Sequence, residues 1–307
     1  VPFKNIEQKF TASINEVVIG TGEKAVTLGG EHVFPLYSFD GDIQNPPCVG
    51  LEISDLTENI ADITRRTCEE SGADFISLVF EGADPNGLNK SVEECIAVCK
   101  EAADAAAACT VPLPLVIQGC RNPEKDGRLF EKIAEVLQGK NVLLLSAREE
   151  NYKSVAVAAV QAYGQKAGAE SAVDINLAKQ LNVLIAQLGI QPGNTVMNIG
   201  SAAAGYGFEY VASTMERVKS AALAQNDTML QLPIITPVGS EVWAVKESMV
   251  SEDDFPEWGP VEQRGIHMEI TTAVASIASG ANAVILRHPA SVPVVKKLIA
   301  ELTRGGS

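Results

Sequence analysis

The chain has 307 residues, 46% of them hydrophobic and 21% charged, and a formal net charge of −15. That composition supports a sizeable core and excludes global disorder, while the acidic balance argues against binding nucleic acid or an anionic membrane through bulk electrostatics. No apolar run approaches the roughly 18–20 residues of a membrane span, and Val1-Pro2-Phe3-Lys4-Asn5 carries no signal-peptide core, so a cytoplasmic protein is expected.

The first 45 or so residues do not alternate strand and helix. Val17-Val18-Ile19-Gly20 and Ala25-Val26-Thr27-Leu28-Gly29 are β-rich runs on either side of Thr21-Gly22, which is a hairpin signal and a candidate plug for the bottom of a barrel. After Asn45-Pro46-Pro47 the pattern changes. Short apolar runs fall at Cys48 to Ile53, Asp74 to Phe80, Pro114 to Ile117 and Val142 to Leu145, then at Ala172 to Ile175, Thr195 to Ile199, Pro233 to Thr236 and Ala283 to Leu286. Parallel strands buried on both faces read this way. Each is followed by a helical stretch. Leu177, Leu181, Leu184, Ile185 and Leu188 keep a 3.6-residue period, as do Val294, Val295, Leu298, Ile299 and Leu302. Ser91 with Glu94 spells a capping box, and Asn122-Pro123 an N-cap followed by proline at the first helical position. Eight such units, with no dinucleotide fingerprint after the first strand, favour a closed barrel over an open sheet. The fold expected is α/β, a TIM (β/α)8 barrel over residues 46–307 with an N-terminal β-hairpin extension over 1–45. One connection is too long: 237–260 separates the seventh strand from its helix and carries both tryptophans, Trp243 and Trp258, among acidic residues. An interface anchor and a lid packed on its own barrel both fit that insert.

In a TIM barrel the functional face is the C-terminal end of the strands. Glu81 to Asn89, Gln118 to Asn122, Ser146, Asp174 and Asn176, Asn198 to Gly207, Thr236 and Arg287-His288-Pro289 sit there. Most are amides, hydroxyls and glycines, and no nucleophile with an adjacent base is evident. The histidines show no metal spacing; His288 reads first as a hydrogen-bonded loop residue. Cys48, Cys68, Cys109 and Cys120 are scattered, Cys95 and Cys99 are four apart, and no Cys-x-x-Cys exists. An autonomous iron–sulfur or zinc site is therefore not expected, and the thiols read as reduced, buried small side chains. Gly200 to Gly207 has the smallest side chains on the face and no Walker lysine. It is either a platform on which a wide ligand meets backbone N–H groups or a tight turn with its alanines packed inward. Asp84-Pro85-Asn86-Gly87 reads first as a turn.

The runs Phe34 to Gly41, Leu78 to Gly87 and Asn198 to Gly207 resemble the small (delta) subunit of the corrinoid iron–sulfur protein of the CO dehydrogenase/acetyl-CoA synthase system. The likeness extends from Phe3 to about Leu302, though the stretch Ile63 to Gly72 is shorter than that family leads one to expect. The resemblance implies a TIM-barrel subunit paired with a larger one in the reductive acetyl-CoA pathway. The pair would carry a methyl group on cobalamin, from methyltetrahydrofolate by way of a separate methyltransferase, to acetyl-CoA synthase. The large subunit would hold the corrinoid domain and the four-iron four-sulfur cluster, and this chain would cover the corrinoid with the top of its barrel. The missing cluster spacing and the missing Asp-x-His-x-x-Gly agree with that division. On this reading Asp84, Asn86, Gly87, Asn198, Gly200, Ser201, Ala202, Ala203, Gly205 and Tyr206 contact the cofactor, and no catalytic residue or metal ligand is assigned. The alternative is an autonomous pterin-dependent methyltransferase, using Asp84, Asp174, Asn176 and Asn198 to hold the pterin.

Overall fold

A computed structural model describes residues 10–34 and 45–303; residues 35–41, most of the first quoted motif, lie outside them. The two β-rich runs near the start pair antiparallel as β1 (Val17–Ile19) and β2 (Val26–Leu28), with Val17 opposite Leu28 and Ile19 opposite Val26. The barrel strands follow as β3 (Cys48–Ser54), β4 (Phe75–Val79), β5 (Leu115–Gln118), β6 (Leu143–Ala147), β7 (Lys166–Glu170), β8 (Thr195–Asn198), β9 (Ile234–Pro237) and β10 (Ala283–Leu286). They pair in chain order, all parallel, and β10 returns to β3 to close the ring. Helices lie between them: α1 (Ile60–Glu70), α2 (Val92–Ala107), α3 (Pro123–Val136), α4 (Tyr152–Val155) continued by a π-helical stretch (Ala156–Ala162), α5 (Ile175–Gln187), α6 (Phe208–Leu223), α7 (Val238–Val242), α8 (Lys246–Met249), α9 (Val261–Ser279) and α10 (Ser291–Thr303). The capping box at Ser91 and the Asn122 cap both form. The stretch shorter than expected is α1, a regular helix that buries Ile60, Thr64, Thr67 and Cys68.

The fifth barrel strand is not Ala172 to Ile175. It is Lys166–Glu170, and the expected run is the loop after it: Ala172 and Val173 have positive φ (45° and 65°), and Asp174 caps α5. The true strand, Lys-Ala-Gly-Ala-Glu, is made of residues depleted in strands, and packing selects it instead. A Cβ on Gly168 would collide with the Leu145 side chain, so the small residue leaves room for its neighbour's large one. Gly50 does the same for the Phe75 ring. Alternating small and large residues fill a barrel interior without voids.

The hairpin closes the bottom. Val17, Ile19 and Leu28 are buried in one cluster with the interior-facing Phe75, Val116, Leu143, Val196, Ile235 and Ile285. Asn141, ahead of β6, donates to the carbonyls of Val18 and Gly20 at 2.9 Å each. A second tie lies behind the hairpin. Lys219 on α6, only 1% exposed, donates through Nζ to Glu31 and to Asn282 Oδ1 (2.8 Å). Asn282 in turn donates to Glu31 (2.8 Å) and accepts from the Ile234 N–H (2.9 Å). Burial alone would raise the Glu31 carboxyl; the Lys219 ammonium and the hydrogen bonds from Lys219 and Asn282 outweigh it and hold the group below its ordinary value.

Candidate functional site at the barrel mouth

The C-terminal ends of the strands surround a cavity of about 550 Å³, a volume in the range of small-molecule pockets. Its floor is hydrogen-bonded through side chains, both to one another and to backbone. Asn198, the last residue of β8, donates to Ser146 Oγ (2.9 Å) and accepts from the Gly200 N–H (3.0 Å). Thr236 donates to the Gly200 carbonyl (2.6 Å). Ser201 Oγ, on the wall, is buried with no hydrogen-bond partner among the described residues. Such an orphan hydroxyl is an unmet demand that a ligand can satisfy.

One thiol faces the cavity, beside the hydroxyls of Ser146, Ser201 and Ser240. Cys120 Sγ donates to Asp126 Oδ1 at 3.2 Å, and the same oxygen accepts from the Cys120 N–H at 2.8 Å. Burial, reinforced by the Asp126 charge, pushes the Cys120 thiol up to about 12. Burial also raises the Asp126 carboxyl, against the hydrogen bonds from Cys120. A thiol held protonated near neutral pH is the reverse of an activated cysteine.

The rim is charged and paired. Arg287, after β10, donates from Nε and Nη2 to Glu52 Oε1 and from Nη2 to Glu81 Oε1 (2.9 Å). Burial opposes its charge, but Glu52 and Glu81 outweigh it, so the guanidinium is held more firmly protonated than usual. Arg148, after β6, donates to Glu170 Oε1 (2.7 Å) and to the Arg121 carbonyl (2.9 Å). Arg121, after β5, donates to Ser240 Oγ (3.0 Å) and Glu241 Oε1 (2.8 Å) on α7. Beneath Arg287, the fully buried Glu269 accepts from the N–H groups of Arg287 (2.6 Å) and His288 (3.2 Å) and from Trp243 Nε1 (3.1 Å). Its carboxyl is raised by burial in spite of them.

Of the ten residues expected at this face, Asp84, Asn198, Gly200 and Ser201 line the cavity. Asn86 and Gly87 are exposed and complete a turn closed on Asp84, whose carboxylate accepts from the Asn86 N–H (2.9 Å). The Gly200–Gly207 loop divides. Gly200 and Ser201 face the cavity, Ala202 is half-buried, and Ala203 turns into the core at 1% exposure. Gly205 and Tyr206 stand exposed at the outer rim, where the Tyr206 hydroxyl donates to Glu247. Asp174 and Asn176 are exposed at the start of α5, outside the cavity lining. Trp243 packs on its own barrel and Trp258 within the insert. Trp243 stacks on His288 and fills the space left by Gly265; Trp258 stacks on Phe255 at 4.4 Å beneath Lys246. His288 is a hydrogen-bonded loop residue, with Nδ1 accepting from the Ala290 N–H and Nε2 against Glu262.

Sequence reasoning missed the paired rim. Glu52 was the available signal: a carboxylate inside an apolar strand requires a partner, and Arg287 supplies it from the other end of the chain. Glu170 was hidden by the misplaced fifth strand. Among the described residues no group of three or more His, Cys, Asp or Glu side chains is placed to hold a metal ion, and no helix is long and apolar enough to cross a membrane.

Solved dihydropteroate synthases share the fold. That of Xanthomonas albilineans superposes with a TM-score of 0.54 at 14% identity, covering 94% of this chain and 98% of the other. That of Yersinia pestis gives 0.56 at 14% identity, covering 85% and 95%. Sequence relatives run closer. The acetyl-CoA decarbonylase/synthase complex subunit delta of Archaeoglobus fulgidus is 30% identical over 98% of this chain and 71% of its own length. The protein of that name from Methanocaldococcus jannaschii is 30% identical over 96% and 76%. Residues 16–298 match the family described as CO dehydrogenase/acetyl-CoA synthase delta subunit, and the chain belongs to that family.

Proposed function

We propose that this chain is the small subunit of a corrinoid iron–sulfur protein and covers, with its barrel mouth, a corrinoid held by a larger, cluster-bearing subunit. The corrinoid, when bound there, supplies a cobalt that takes a methyl group from methyltetrahydrofolate by way of a methyltransferase and yields it to acetyl-CoA synthase. The residues fit such a role. The mouth offers paired donors and acceptors and the orphan Ser201 hydroxyl, and it places no thiolate against an electrophilic methyl group. The observation that carries the reading is the family match over residues 16–298, and the Cys120–Asp126 contact agrees with it, since the one thiol in the cavity wall is hydrogen-bonded to a carboxylate and not paired with a base that would activate it. The chain's own part is to cover, orient and exclude water. The reading implies the cytoplasm, where such a complex meets its partners.

The pterin-dependent methyltransferase has less support. Each polar atom of the Asn198 amide is already engaged once inside the protein, and Asp174 caps a helix instead of facing the cavity. Light scattering of the native complex is expected to give one copy of this chain with one larger chain, and metal analysis to find iron and cobalt in the complex and neither in this chain alone. A homodimer or free monomer in extract, or stoichiometric metal in the single chain, would overturn the proposal.

A further inference from the structure

In the ring order, β5 and β9 lie four places apart in an eight-strand barrel, directly opposite each other. Arg121 follows the first and Glu241 follows the second, so their ion pair spans the mouth above the cavity. The Arg121 backbone is left-handed (φ 68°), a region arginine rarely adopts. Its carbonyl is held by Arg148, which is itself paired to Glu170. The span and its brace form one unit.

The spare hydrogen-bonding capacity of this unit is specific. Arg121 uses only Nη2, and Glu241 only Oε1; Arg148 uses Nη1 and Nη2, and Glu170 only Oε1. Among the described residues, Nε and Nη1 of Arg121, Nε of Arg148 and Oε2 of both glutamates make no side-chain hydrogen bond. Each pair therefore leaves a donor and an acceptor beside one another. The Arg287 cluster differs: Glu52 Oε2 accepts from Gln118 (3.0 Å) and Glu81 Oε2 from Ser54 (2.9 Å), so its carboxylates are filled.

A primary carboxamide presents one acceptor and a planar NH₂ donor, which complements such a pair at no cost in charge. A carboxylate can use only the guanidinium and leaves a second carboxylate facing it. The mouth also carries Asp84 and Asp126, so an added negative charge meets a surplus of its own sign. An exposed ion pair is worth only about 0–1 kcal/mol, so the Arg121–Glu241 span opens cheaply to admit an amide. The Arg148–Glu170 pair, with side chains 25% and 22% exposed, is the more desolvated and the stricter of the two.

We propose that the Arg121–Glu241 and Arg148–Glu170 pairs read carboxamides, so that the mouth accepts a macrocycle rimmed by neutral primary amides and rejects the same macrocycle rimmed by carboxylates. This rests on the corrinoid-capping reading and adds which corrinoid periphery is recognised and by which residues.

Equilibrium dialysis of the full chain against dicyanocobinamide, whose rim is amidated, and against dicyanocobyrinic acid, whose rim is carboxylate, tests it. Native chain is expected to bind the amide form at least about tenfold more tightly, the effect of one polar group left unpaired on desolvation. The double variant Glu170→Gln with Glu241→Gln keeps an acceptor for each arginine and removes the like charge. It is expected to keep its circular dichroism and to bring the preference close to one, chiefly by tighter binding of the acid. Equal binding of both ligands by native chain would overturn the amide reading and leave the capping role standing. A preference unchanged in the double variant would overturn the assignment to these two pairs. Failure to bind either ligand at millimolar concentration would overturn this inference and leave the capping role standing, because in that role the larger subunit holds the corrinoid.

Discussion

Replacing Lys219 by methionine is expected to cost about 3–5 kcal/mol of folding stability, the usual effect of removing one partner from a buried ion pair. Methionine keeps the stem that packs over Gly280, so little of the loss comes from a cavity. The loss comes from Glu31, left in the seam between hairpin and barrel with the Asn282 amide and without the Lys219 ammonium. Urea unfolding at neutral pH measures the difference, and a change under about 1 kcal/mol would show the pair to be solvated. The pH dependence has a definite sign. In the native chain the Glu31 carboxyl is held below its ordinary 4.5. Its contribution is therefore full above that value and is lost as pH falls through the lowered one. In the variant the ammonium is gone and burial raises the same carboxyl. The gap between native and variant should begin to narrow above 4.5, as pH falls through the variant's raised carboxyl and relieves its buried charge, and go on narrowing below 4.5, where protonation costs the native chain a favourable pair.

Replacing Ala203 by tryptophan is expected to destabilise the barrel by about 3 kcal/mol or more, at or beyond the upper end of overpacking in a well-filled core. The small side chains of Gly200 to Gly207 also suit a flat platform, on which a bulky substitution would spare folding and disturb only the ligand. The structure sends the loop another way. Ala203 is buried in the main core, the neighbouring Ala204 N–H is bonded to Thr272 on α9 (3.0 Å), and the Tyr206 N–H closes a turn on the Ala203 carbonyl (2.9 Å). A melting curve decides. A native melting temperature in the tryptophan variant would mean that the loop faces solvent after all. Gly200 and Ser201 remain the part of this loop that meets the cavity.

Strand identity was readable wherever burial on both faces wrote itself as branched apolar residues, as in Ala283–Leu286 or Cys48–Ser54. It failed at Lys166–Glu170, where the barrel needs small side chains opposite Leu145, and the requirement lives in the partner strand. The mouth divides in the same way. Asp84, Asn198 and Gly200 announce themselves because strand ends are where ligands meet this fold. The Arg121–Glu241 span is invisible in one dimension, since its two residues are 120 positions apart and meet only because the ring closes with β5 facing β9. Tyr206 and Asn86 belong to loops at the mouth and lie outside the cavity lining, which loop sequence alone does not encode.

The hairpin seat has a consequence for how the chain is made. β1 and β2 leave the ribosome before any barrel strand, yet every surface that receives them comes later. The interior cluster runs from Phe75 to Ile285, and the anchoring lysine and amide are residues 219 and 282. Loop closure over such separations slows folding. Val17, Ile19 and Leu28 must therefore wait, with their apolar side chains uncovered, until almost the last strand has been synthesised. The period between those two events is when the nascent chain is most exposed to mispairing with another copy of itself.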